Sequence, residues 1–176
     1  SDPELMEKAL LPDDIVIHLA AQSHVDVSFK NPVQTTVSNV VGIHSLLAAC
    51  VKKGIKKIVI MSTDEVYGST EKIVDVNLLN PANPYSASKA AADMIVSAYK
   101  TMHPEITITT LRSNNIAGPG QFINNIIPRF SVLGLLKKKF TLHGDGSAMR
   151  RYLWVKDAAE AIWLLAEKAT KSQIYH

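Results

Sequence analysis

The chain has 176 residues, long enough for one domain with a real core and too short for two large ones. With 47% apolar and 20% charged residues, a net charge of +3 and lysines in short scattered runs (Lys52-Lys53, Lys56-Lys57, Lys137-Lys138-Lys139), it lacks the basic patch of a nucleic-acid binder. The single cysteine, Cys50, excludes an internal disulfide, and there is neither a signal-peptide pattern nor an apolar run of about 18 residues, so a soluble cytoplasmic protein without a membrane partner or metal site is expected.

Residues 1–5 (Ser1-Asp2-Pro3-Glu4-Leu5), ahead of Met6, read as a cloning scar and are set outside the fold. Asp14 to Ala20 is a nearly continuous apolar run, which predicts a strand covered on both faces, as in a parallel sheet. From about Pro32 to Lys53, Val33, Val37, Val40, His44 and Leu47 are spaced for a helix with a broad apolar face. Lys52-Lys53-Gly54 ends it, with cations at the negative helix end and a glycine able to take the left-handed cap; Cys50, within it, reads as core filler. Ile58 to Met61 predicts a second buried strand, followed by a polar loop over about Ser69 to Asn83. Pro84 opens a helix running to about His103, and Ile106 to Leu111 is a third strand. A Gly118-Pro119-Gly120 turn precedes an apolar helix from about Asn124 to Leu136. Phe140–His143 and Tyr152–Val155 are short strand candidates around Gly144-Asp145-Gly146, a last helix spans Lys156 to Lys168, and Tyr175-His176 begins another strand. Strands alternating with helices predict an α/β fold with a mainly parallel sheet joined by right-handed crossovers.

Two segments carry chemistry. Ser62-Thr63-Asp64-Glu65-Val66-Tyr67-Gly68 places neighbouring carboxylates at the end of a buried strand, and Pro84-Tyr85-Ser86-Ala87-Ser88-Lys89 places a tyrosine and a lysine one helical turn apart. A free tyrosine has a pKa of about 10, and the ammonium of Lys89 beside Tyr85 is expected to lower it towards the range of a useful base. Tyr-x-x-x-Lys alone is a common surface spacing, and adjacent acids often do no more than cap a loop. Coupled, with a Ser/Thr-ended strand about twenty residues upstream, they supply an acid, a base and a phenol for oxidising a hydroxyl and eliminating water.

On these residues, together with His18-Leu19-Ala20-Ala21-Gln22-Ser23-His24-Val25-Asp26, Asn39-Val40-Val41-Gly42, Arg112-Ser113-Asn114-Asn115 and Gly144-Asp145-Gly146 leading to Arg150, the chain resembles the extended short-chain dehydrogenase/reductase family. The match is nearest to its nucleotide-sugar 4,6-dehydratases, the dTDP-glucose 4,6-dehydratases in particular, from about Asp14 to the C-terminus. The resemblance implies NAD as a recycled cofactor and a nucleotide-diphosphate sugar as substrate. It implies Glu65 as base for the C5 proton, Asp64 as acid for the departing hydroxyl, Thr63 as holder of the 4-hydroxyl, and Tyr85 with Lys89 as the oxidation couple. Leu19, Ala20, Ala21, Ser38, Ser62 and Asn115, with Tyr85 and Lys89, would face the cofactor. Asn114 and Arg150 would grip the sugar nucleotide, the latter with the planar fork that suits a diphosphate. His24 would reach the substrate or is a structural histidine. The chain departs from the family pattern at Ile116-Ala117, Asn125 and Arg151, positions that bear on substrate grip.

The family opens with a strand and a Gly-rich phosphate turn, which nothing before Asp14 resembles. The expectation is therefore a partial Rossmann-like, doubly wound parallel sheet lacking its N-terminal Gly-rich βαβ half, roughly sixty residues by family analogy. Residues 6–117 would be the C-terminal part of the NAD-binding domain with the catalytic residues, and 118–176 a truncated substrate-binding segment interleaved with the last Rossmann elements. Such a chain is a truncated dehydratase, an inactive homologue serving as a binding or assembly module, or another sugar-nucleotide epimerase or decarboxylase. The resemblance also implies a homodimer through a four-helix interface, with Ile43 and Leu47 on one helix and Ala92, Val96 and Tyr99 on the other.

Overall fold

A computed structural model describes residues 2–69, 75–141, 145–146 and 149–176. Helix α1 (Pro3–Ala9) opens the chain, with the Asp2 carboxylate accepting from the backbone N–H groups of Glu4 and Leu5 at 3.0 and 3.1 Å. The segment set aside in the sequence as a scar thus supplies the first turn of a helix. Met6 and Leu10 pack on the core, and Glu7 pairs with Lys52 at 2.7 Å.

Four parallel strands form the main sheet in the order β1 (Ile15–His18), β2 (Lys57–Thr63), β3 (Thr107–Ser113), β6 (Ile174–Tyr175). Ile58 and Ile60 of β2 and Ile108 of β3 point to one face, where they meet Ile43, Leu47 and Val96 of the helices. Those helices are α4 (Gly42–Lys53) and α5 (Pro84–Met102). The predicted helix over 32–53 is continuous but not uniform: α3 (Pro32–Thr36) passes through a π-helical turn at Val37–Val41 into α4, and Gly54, at φ 73°, ends it as expected. Cys50 is buried in this core, which pushes its thiol up to about 11.

On the other face α7 (Val155–Lys168) lies across β1, β2 and β3, and Lys57 reaches the Glu167 carbonyl at 2.8 Å. It covers β1 incompletely: Ile15 and Ile17 remain 49% and 38% exposed. The expectation of a strand buried on both faces fails here, because among the described residues β1 is an edge strand that α7 covers only in part. Short α2 (Val25–Lys30) and strand β4 (Asn115–Ala117) escaped the sequence patterns, each too short for its period to show, whereas β5 (Tyr152–Trp154), which pairs in parallel with β4, forms where the strand candidate at Tyr152–Val155 placed it. Helix α6 (Ile126–Leu135) forms as predicted but buries no residue fully. Phe140 and Thr141 are irregular, and Leu142, His143 and Gly144 lie outside the described residues. Among the described residues no helix is long and apolar enough to cross a membrane.

Candidate active site

The C-terminal ends of β2 and β3 meet the first turn of α5, and the chemistry gathers there. At the end of β2, Thr63 caps a single 3-10 turn, Asp64–Tyr67, its hydroxyl accepting from the Glu65 N–H at 3.2 Å. Asp64 and Glu65 are therefore held on a rigid turn, half-buried, each by an amide from a different element. The Asn114 side chain donates to Asp64 at 2.6 Å, and that of Asn83 donates to Glu65 at 3.3 Å.

Asn83 also builds the start of α5. Its side chain accepts from the Ser86 N–H at 2.8 Å while the Ser86 hydroxyl accepts from the Asn83 N–H at 3.1 Å, a reciprocal capping box with Pro84 in the first turn. Tyr85 follows, buried, with its backbone N–H donating to the Ser28 hydroxyl at 3.1 Å and its carbonyl accepting from Ser88 at 2.7 Å. The amide of buried Asn39, in the π-helical turn, donates to Ser88 at 2.9 Å and to the Gln22 carbonyl at 3.0 Å, and accepts from the Gln22 N–H at 2.8 Å. The loop after β1 is thereby fastened to the start of α5.

The Thr63 hydroxyl lies close to the Tyr85 phenol, but the phenol is not lowered as the sequence led one to expect. Burial pushes Tyr85 up to about 12, the Glu65 carboxylate beside it adds to the rise, and the Thr63 hydroxyl opposes it. The correction has a plain cause: the sequence showed the ammonium one turn away, but not the burial of the ring nor the Glu65, Asp64 and Asp93 carboxylates that the fold brings near it. Lys89, also buried, donates to the Met61 carbonyl at 2.7 Å, and burial holds its ammonium below the usual lysine range while Asp93 raises it.

The remaining sequence candidates separate. Ser62 is buried on β2 and its hydroxyl has no hydrogen-bond partner among the described residues. Leu19, Ala20 and Ala21 are exposed at the end of β1, Asn115 is exposed on β4, and Ser38 is exposed and accepts from Gln34 at 3.4 Å. His24 stands at the start of α2 with its ring 5.3 Å from that of Phe122. Arg150 is exposed and donates to the Met149 carbonyl at 2.8 Å; no hydrogen bond joins it to the cluster among the described residues.

Sequence reasoning missed the residues that hold the cluster from behind: Ser28, Asn39, Asn83, Asp93 and Arg112. Most left a trace. Asp93 repeats the Tyr85–Lys89 spacing along one helix face, Arg112 is a charge at the end of an apolar strand that needs a partner, and Asn39 and Arg112 stand in segments that carry the family resemblance, though no bracing role was read from them. Ser28 left none, because short polar side chains are as common on a surface as in a buried brace.

A profile of the NAD dependent epimerase/dehydratase family matches residues 1–176. A dTDP-D-glucose 4,6-dehydratase of Dictyostelium discoideum is 41% identical over 191 residues, which covers 99% of this chain and 44% of that protein. The trifunctional UDP-glucose 4,6-dehydratase/UDP-4-keto-6-deoxy-D-glucose 3,5-epimerase/UDP-4-keto-L-rhamnose-reductase RHM3 of Arabidopsis thaliana is 43% identical over 169 residues, 93% of this chain and 25% of that protein. Among solved structures, DesIV, a dTDP-glucose 4,6-dehydratase of Streptomyces venezuelae with NAD bound, superposes with a TM-score of 0.91 at 34% identity, covering 99% of this chain and 55% of its own. The chain thus spans a quarter to about half of the length of the proteins it matches. Matched by the family profile over its whole length, and by relatives and solved structures of that kind, this chain belongs to the NAD dependent epimerase/dehydratase family.

Proposed function

We propose that the chain carries the catalytic part of an NAD-dependent 4,6-dehydratase acting on a nucleotide-activated hexose, with dTDP-glucose as substrate and the 4-keto-6-deoxy sugar nucleotide as product. The observation that carries this reading is the pair Asp64 and Glu65, fixed by separate amides on one turn beside the Thr63–Tyr85 couple. Oxidation of a hydroxyl needs only the couple; elimination needs an acid and a base besides.

The residues fit a nicotinamide dinucleotide. The orphaned Ser62 hydroxyl lies at the strand end where open α/β sheets take their ligands, and the small, exposed Ala20 and Ala21 end the neighbouring strand. Leu19, Ala20, Ala21, Ser38, Ser62, Tyr85, Lys89 and Asn115 would hold it. Bound NAD supplies a hydride acceptor for C4 and later a hydride donor for C6. The positive charge of the nicotinamide would favour the phenolate form of Tyr85, which would then take the proton of the 4-hydroxyl that Thr63 orients, and Lys89, anchored on the Met61 carbonyl, would keep N–H groups for the cofactor's ribose. Glu65 removes the C5 proton and Asp64 protonates the departing 6-hydroxyl. His24, Asn114 and Arg150 are the proposed contacts to the sugar nucleotide. The free, buried Cys50 supports a cytoplasmic setting.

The test is titration of NAD into the protein by calorimetry, followed by incubation with NAD and dTDP-glucose and mass analysis of the sugar nucleotide. Binding and loss of water support the reading. A product of unchanged mass, or no binding at all, overturns it for this chain. In a dehydrating preparation, Glu65→Gln should slow water loss by about a hundredfold or more while reduced cofactor still forms, a general-base effect. Unimpaired water loss would remove Glu65 from the role.

We also propose a homodimer through α3–α4 and α5, with different residues from those the sequence named. Ile43, Leu47, Ala92 and Val96 are spent in the chain's own core, at 1%, 0%, 4% and 1% exposure. The helices instead expose Val37, Val41, His44, Ala48, Met94 and Ala98, and Val41, His44 and Ala48 line a groove of about 340 Å³ together with Ile95 and Pro3.

A further inference from the structure

Arg112 lies at the end of β3 and is only 4% exposed. Its Nε donates to the Asp93 carboxylate on α5 at 2.8 Å, and Asp93 is equally enclosed. The other arm of the fork donates to the Tyr67 phenol at 2.5 Å and to the Val76 carbonyl, and the guanidinium carbon sits 4.9 Å from the centre of the Tyr67 ring. A guanidinium only donates, so the phenol oxygen accepts from it, and the phenol proton is left for the His176 Nε2 at 2.7 Å.

These partners are not scattered. Tyr67 ends the turn that begins with Asp64 and Glu65. Val76 belongs to the segment leading back to Asn83 and Tyr85, and that segment is stitched to the same turn. The Asn80 N–H donates to the Val66 carbonyl at 2.9 Å, and the Asn80 carbonyl comes so close to Gly68 that a Cβ there would lie 2.3 Å from it. Asp93 stands on the face of α5 that also carries Tyr85 and Lys89.

We infer that Arg112 is a positioning residue: fixed on α5 through Asp93, it holds the carboxylate turn through Tyr67 and the return segment through Val76, keeping Asp64 and Glu65 in register with Tyr85. The inference deepens the dehydratase reading, but its test does not depend on turnover. Arg112→Met and Asp93→Asn each strand a buried charge and risk unfolding. Tyr67→Phe instead keeps the ring under the guanidinium and deletes only the hydroxyl. Amide hydrogen exchange of this variant should quicken about tenfold at Gly68 and Asn80, whose N–H groups close the turn and the segment, as expected for losing one charge-assisted bond. Amides of β2 and of the centre of α5 should stay within about twofold of the parent. Arg112→Lys, which keeps the charge beside Asp93 but loses the fork, should reproduce that local pattern. Unchanged exchange at Gly68 and Asn80 overturns the inference, as does uniform acceleration over β2 and α5, the mark of a residue that only stabilises the fold. Where dehydration is measurable, kcat should fall with KM nearly constant; a rise in KM with kcat unchanged also overturns it. Failure of the dehydratase reading would show separately, as absence of water loss from the unsubstituted protein.

Discussion

His18 stands at the end of β1, and burial, aided by the ammonium of Lys89, pushes its imidazole from the usual 6.5 down to about 4. The folded protein therefore holds it neutral. Above pH 6.5 the folded and unfolded chains both keep it neutral, so stability is insensitive to this group. Between 6.5 and about 4 the unfolded chain takes up a proton that the folded one refuses, and stability falls as pH falls, by an amount on the order of 2 kcal/mol once partial exposure is allowed for. The expected outcome is that His18→Gln flattens the dependence of Tm on pH between 7 and about 4.5 relative to the parent; parallel profiles would show that His18 titrates normally. At the same scale, Tyr85 shows why neighbours in sequence are a partial guide to protonation. Lys89 is visible one turn along, but the carboxylates that raise the phenol come from the turn after β2 and from further down α5.

Among the elements, those with long periodic patterns formed where their sequence placed them. Helix α5 begins at Pro84 because Asn83 and Ser86 close a capping box, and α4 stops at Gly54 because only a left-handed residue completes the cap. The turn after β2 is different: nothing in Asp64-Glu65-Val66-Tyr67 has a helical period, and its 3-10 geometry follows from Thr63 capping it and Asn80 packing over it. Two glycines separate these cases. Gly54 has φ 73° and open space round its missing side chain, so Gly54→Ala should cost about 1 kcal/mol, from the backbone alone. Gly68 has φ 69° and the Asn80 carbonyl in the space of a Cβ, so Gly68→Ala should cost about 3 kcal/mol or more, read as a lower urea midpoint. Equal losses from the two substitutions would mean that the return segment does not rest on the carboxylate turn.

For the whole molecule, the apolar stripe over α3–α4 and α5 predicts association through that face. Ala48→Glu should convert a dimer to a monomer in sedimentation velocity with little change in Tm, because Ala48 is exposed. A parent chain already monomeric at micromolar concentration would refute the interface. The parallel sheet, its helices on both faces and the gathering of Thr63, Asp64, Glu65, Tyr85 and Lys89 at one strand end and helix start were legible in the chain itself, because apolar periodicity is written locally and each of these residues adjoins a readable strand end or helix start. The partition between core and surface was not: Ile43 and Val96 looked like interface residues, and Ile15 and Ile17 like core. Periodicity gives the face of an element but not what lies against it. The brace of Asp93, Arg112 and Tyr67, and the sign of the shift at Tyr85, were likewise decided only in three dimensions, the first because its members are far apart in sequence, the second because it follows chiefly from burial of the ring and then from the Glu65 carboxylate brought beside it.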